Sequence, residues 1–192
     1  MNDFAFYFDL GWKHIISADA LDHQLFILAL TAIYLLENWK PVLILVTAFT
    51  IGHSLTLVLS VYDIIRVSSN WVEFLIPLTI VITAIVNFTR KDFSSKSLRL
   101  NYFLALAFGL IHGLGFANTI RFMLAKNQSL ALPIFSFNVG LEAGQIIVVT
   151  LILLVSWLLV NKAGLPRKWW VWGLSAIALI ISANICIHRW PL

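Results

Sequence analysis

Residues 41–62 read PVLILVTAFTIGHSLTLVLSVY. The stretch holds no Asp, Glu, Lys or Arg, and it has the length of roughly 20 apolar residues that carries a helix across a bilayer core. One imidazole, His53, interrupts it near the middle. An ionisable group is costly in hydrocarbon, so its presence there asks for a use.

Reading outward, five more apolar stretches of similar length appear. The six candidate spans are 21–38, 41–62, 71–89, 100–120, 132–160 and 169–188. The chain is 60% hydrophobic and only 11% charged, where a soluble domain carries about a quarter charged residues. Mean hydropathy is +0.92. These values predict an all-α, polytopic membrane protein that forms one integral membrane domain over 1–192. Pro77 falls inside the third span and is a candidate kink.

Residues 1–19 mix aromatic side chains with Asp and Lys and are too polar to cross. The expectation for them is a short amphipathic segment at the interface. Asp3, Asp9 and Asp19 outnumber the lone Lys13 here, so the pattern of a cleavable signal peptide is not expected. The single cysteine, Cys186, excludes an internal disulfide and any multi-cysteine cluster. A bound metal would then take nitrogen and oxygen ligands.

The net charge of +4 reads as membrane orientation, with no nucleic-acid partner implied. With six spans, Lys13, Arg66, Arg121, Lys126 and Arg189 share one side. Lys40, Arg90, Lys91, Lys96, Arg99, Lys162, Arg167 and Lys168 share the other. The richer side should face the cytoplasm, which puts both termini outside a bacterial inner membrane.

Four of the five histidines lie on or beside the spans. His53 and His112 each lie 12 residues into a span entered from the cytoplasmic side, about 18 Å deep. Glu142 lies ten residues into a span entered from outside, about 15 Å down. All three are expected to converge in the outer half of the membrane. Asp19, Asp22 and His23 form a polar cluster at the outer start of the first span, and His14 lies upstream within folding distance. Thr50 and Ser54 flank His53 as candidate supports. Asn138, Glu142 and Gln145 project on one helical face.

Neutral imidazole is a good ligand for nickel, cobalt, zinc or copper(II), and a carboxylate offsets the charge of a divalent ion. His14, Asp22, His23, His53, His112 and Glu142 are therefore the candidate metal ligands. Plainer roles stand beside this one. A single histidine in a membrane helix can serve as an interhelical hydrogen bond. Asp19 and Asp22 can serve as helix N-terminal acids. His14 and His188 can serve as interfacial groups. The sequence contains no His-Glu-x-x-His, no Gly-x-Ser-x-Gly and no phosphate-binding loop.

Five stretches carry a resemblance. They are Gly11-Trp12-Lys13-His14-Ile15, Asp22-His23-Gln24-Leu25-Phe26-Ile27-Leu28, Phe49 to Leu57, His112-Gly113-Leu114-Gly115-Phe116-Ala117, and Phe137 to Gln145. In this order they resemble the HupE/UreJ family of bacterial membrane proteins. The resemblance runs from about residue 11 to 160. It implies secondary transport of nickel or cobalt, linked to hydrogenase or urease maturation. Within it, His14, Asp22 and His23 resemble the first motif, His53 the second-helix histidine, and His112 and Glu142 the later motifs.

Two other functions fit the same residues. An intramembrane zinc-dependent metalloenzyme, hydrolase-like with an outward-facing active site, would need one tightly held ion and a cleft for substrate. A structural or assembly role would need no stoichiometric metal.

Overall fold

The computed structural model describes residues 3–90, 98–123 and 130–191, with side chains described over 3–90, 101–116 and 130–191. Among these residues the chain forms seven α-helices and no strand. They are α1 (Asp3–Ile16), α2 (Leu21–Thr31), α3 (Trp39–Val61), α4 (Ser69–Thr89), α5 (Leu98–Met123), α6 (Ala131–Ser156) and α7 (Arg167–His188). A π-helical turn, Trp157–Lys162, prolongs α6.

Among the described residues, four helices are long and apolar enough to cross a membrane: Leu36–Val61, Ser69–Thr89, Ala131–Lys162 and Arg167–His188. They match four of the six expected spans. The outward faces of these helices are apolar. On α3, Ile44, Ile51 and Leu55 are more than half exposed, and so are Ile180 and Ile187 on α7. In water such stripes would drive association, whereas lipid solvates them. The expected fourth span falls on α5, whose described apolar part is the shorter Asn101–Phe116. α4 runs through Pro77 without ending.

The expected first span, 21–38, is not one helix. α2 stops at Thr31 after 11 residues, about 16 Å of rise and half of a bilayer core. The chain then turns, and Leu35 is extended. Backbone groups freed inside an apolar bundle need partners, and neighbouring elements supply them. Arg167 donates to Ile33 O, and Asn38 Oδ1 accepts from the Leu35 amide at 3.3 Å. Asn87 reaches Ala29 O at 2.7 Å. Asn101 donates to the Tyr34 hydroxyl at 2.8 Å and accepts from Arg90.

The N-terminal segment is more deeply seated than a surface helix would be. α1 lies along α6 and buries Tyr7, Gly11 and Ile15 at four-residue spacing. A Cβ added to Gly11 would collide with the Phe137 backbone oxygen, and one on Gly140 with that of Phe8. The helices touch backbone to backbone and run parallel. α3 and α5 form a second parallel pair of the same kind. There Gly52 abuts Leu106, Gly109 abuts Phe49, and Gly113 abuts His53. Small residues permit such close approach where lipid gives no hydrophobic drive for helix association. α4 and α7 pair antiparallel, with Phe74 on Trp190 at one end and Phe88 on Trp172 at the other. α2 packs against α4, α6 and α7.

Lys91, Lys96 and Lys126, which enter the charge count above, lie outside the described residues, as do the side chains of Arg99 and Arg121.

Candidate metal centre

The close helix pairs set the positions of four imidazoles. His14 is in the last turn of α1, and His23 is two residues into α2. Between them, Ser17–Ala20 breaks the helix. The broken end of α1 would leave its last carbonyls unsatisfied. One side chain covers them, because Gln24 Nε2 lies 3.1 Å from Ile15 O, 3.2 Å from Ile16 O and 2.9 Å from Ser17 O. This clamp holds the two histidines together, with ring centroids 4.5 Å apart.

His53 on α3 and His112 on α5 complete the group. Both are fully buried. Ring centroids lie 6.0 Å apart for His14 and His53, 6.4 Å for His23 and His53, and 4.8 Å for His23 and His112. Nitrogens of His14, His23 and His53 all fall within 4.8 Å of one another. Nitrogens bound to a tetrahedral ion at about 2.1 Å would sit about 3.4 Å apart, so small side-chain movements would close the trio. Phe49, Phe116 and Phe137 wall the site.

Six ring nitrogens in this group are buried without a protein hydrogen-bond partner: Nε2 of His14, Nε2 of His23, and both nitrogens of His53 and of His112. A buried polar atom left unpaired is costly, and four such rings facing one another multiply the cost. Interhelical hydrogen bonding, through Asn138 Oδ1 facing His53, would account for at most one of them. A cation would take one lone pair from each neutral ring, leaving the second nitrogen of His53 and of His112 as an N–H donor. The donors are all nitrogen, which suits a divalent ion of the nickel, cobalt or zinc type.

The other expected residues fall around this core. Asp22 Oδ2 pairs with Arg189 Nη1 at 2.8 Å, while its Oδ1 is buried without a partner. Asn138 gives its amide to Ile134 O at 2.8 Å and lies against His53 with a buried, unpartnered Oδ1. Glu142 is not brought into the trio. Its Oε1 accepts from Thr47 at 2.7 Å, and Thr47 lies six residues before His53, about 9 Å along α3. Gln145 accepts from Thr50 at 3.0 Å, and Ser54 donates to Thr50 O, so neither flanking hydroxyl bonds His53. His188 is exposed and apart from the cluster.

A cavity of about 380 Å³ opens beside the histidines. His14, His23 and His112 line its wall, with Asp19, Asp22, Glu73 and Arg189. Sequence reasoning missed Glu73, Gln24 and the pairing role of Arg189. Glu73 is a carboxylate in the first turns of an apolar helix, a signal the sequence carries. Gln24 sits directly after the Asp22-His23 pair.

The bundle is thus a helical membrane protein with a converging imidazole cluster under an acidic cavity. The family model described as HupE / UreJ protein matches residues 1–189, and the chain belongs to that family. No curated protein and no solved structure matches it.

Proposed function

We propose that this protein is a secondary transporter of a divalent transition metal ion, with nickel or cobalt as cargo. His14, His23 and His53 would hold the ion, and His112 would complete the set. The observation that carries this reading is the convergence of four imidazoles, each with a buried ring nitrogen that no protein hydrogen bond reaches by geometry. Asn138 would orient His53, and Asp22 would guide the ion toward His23. Glu142 would act from nearly two turns away, by fixing α6 on α3 through Thr47.

The cavity supports uptake from outside. Its mouth carries Glu73 near the start of α4 and Arg189 just past the end of α7. At the opposite end of the bundle, Lys40, Lys162 and Lys168 lie over Trp39, Trp157 and Trp172. A basic, tryptophan-rich end fits the cytoplasmic face of a bacterial inner membrane. The test is flux of nickel or cobalt into liposomes holding the purified protein. Flux abolished by His53→Ala supports transport, and the absence of any flux from wild-type protein rejects it.

A second reading rests on one observation. Between the cluster and the basic end, buried Tyr34 and Asn101 are joined to Arg90, and Arg167 closes over Ile33. Two guanidiniums there oppose the onward passage of a cation. A resident zinc ion facing an outward cavity would make the protein a hydrolase-like metalloenzyme, with Glu73 at hand as a proton-carrying group. A stoichiometric, non-exchanging metal without flux would select this reading.

A further inference from the structure

The cavity lining holds three carboxylates and one guanidinium, and the guanidinium is already engaged. Arg189 Nη1 donates to Asp22 Oδ2 at 2.8 Å, with 38% of the Arg189 side chain and 18% of the Asp22 side chain exposed. The second Asp22 oxygen is buried and unpartnered. Asp22 and His23 both line the cavity, so an ion reaching His23 from it meets this carboxylate.

We propose that Arg189 is a tethered competitor of the metal ion. It occupies Asp22 when the histidines are empty and must part from it when an ion enters. This rests on the metal-binding reading of the histidine cluster and sets how tightly that cluster holds its ion.

The tether is well defined. Arg189 caps α7, with its amide on Ile185 O at 2.9 Å. The next residue, Trp190, packs edge-on against Phe74 of α4 with centroids 5.1 Å apart. The guanidinium therefore hangs from a fixed backbone point and stays within reach after it lets go. A divalent ion near Asp22 repels the guanidinium and competes for the same oxygen lone pairs. Entry then exchanges one charge pair for another, and departure of the ion lets the first pair form again. The exchange lowers net affinity, which helps a site that must release what it binds.

Cobalt titration of the detergent-purified protein, followed by visible absorption, tests this. Arg189→Gln should bind cobalt about five-fold more tightly than wild type, the scale of a half-exposed ion pair. Asp22→Asn should bind more weakly, and the double variant should gain nothing over Asp22→Asn. Equal or weaker binding by folded Arg189→Gln overturns the proposal, as does an undiminished gain in the double variant. If Arg189→Gln does not yield monodisperse protein, Arg189→Lys replaces it. Lysine keeps the charge but loses the guanidinium N–H that reaches Asp22 Oδ2, so partial tightening is expected and unchanged affinity overturns the proposal. Failure of wild-type protein to bind cobalt rejects the metal reading itself, a different result from wild-type binding that Arg189 does not influence.

Discussion

His14 and His23 meet with ring centroids 4.5 Å apart although a break in the helix separates them. The contact depends on Gln24, which folds its amide back over three carbonyls of the broken end. A discontinuous helix at a binding site is a common way for a membrane protein to place polar groups inside a bundle. Here the break carries one histidine on each side.

Gln24→Ala should therefore leave the bundle folded and loosen the His14–His23 pair. Metal affinity should fall about 10- to 100-fold, as for other groups that orient ligands. Isothermal titration with cobalt measures it, and an unchanged affinity would show that the clamp does not position the ligands.

His53→Ala should be more severe, because it removes a member of the trio. We expect a loss of affinity of more than about 100-fold, beyond the effect of an orienting group. His112→Ala should cost less, since His112 lies outside the trio whose nitrogens fall within 4.8 Å. The ranking reverses if His112 is a primary ligand.

Glu142→Gln should keep stoichiometric metal, because the Glu142 carboxylate accepts from Thr47 and not from the site. Elemental analysis of the dialysed variant decides this. Loss of the metal would place Glu142 among the ligands.

Gly109→Ala should destabilise the fold by about 1–3 kcal/mol, the usual cost of overpacking. Its new methyl would collide with the Phe49 backbone of α3. Gly173→Ala is the control, since nothing lies within 4 Å of its added carbon. Thermal unfolding in detergent should separate the two variants, and equal melting temperatures would contradict the close α3–α5 crossing.

The sequence made α3, α4, α6 and α7 readable because length and hydropathy are properties of a single helix. It also placed His53 and His112 at equal depth, and the structure brings them into one cluster with His14 and His23. The rest depended on partners. Nothing between Thr31 and Tyr34 is Pro or Gly, so the end of α2 left no local mark; Arg167, Asn87 and Asn101 accommodate it from distant segments. The mix of aromatic and charged residues in 1–19 suggested an interfacial segment, and nothing local showed that α6 would cover Tyr7, Gly11 and Ile15. Glu142 shows the limit of depth counting. Rise along a helix fixes height but not direction, and α6 turns Phe137 and Asn138 toward His53 while Glu142 meets Thr47.

The most direct measurement is X-ray absorption at the metal edge of protein loaded with one equivalent of cobalt. The account predicts a first shell with at least three imidazole nitrogens that loses one in His53→Ala. A shell without imidazole, or one unchanged by that substitution, would contradict it.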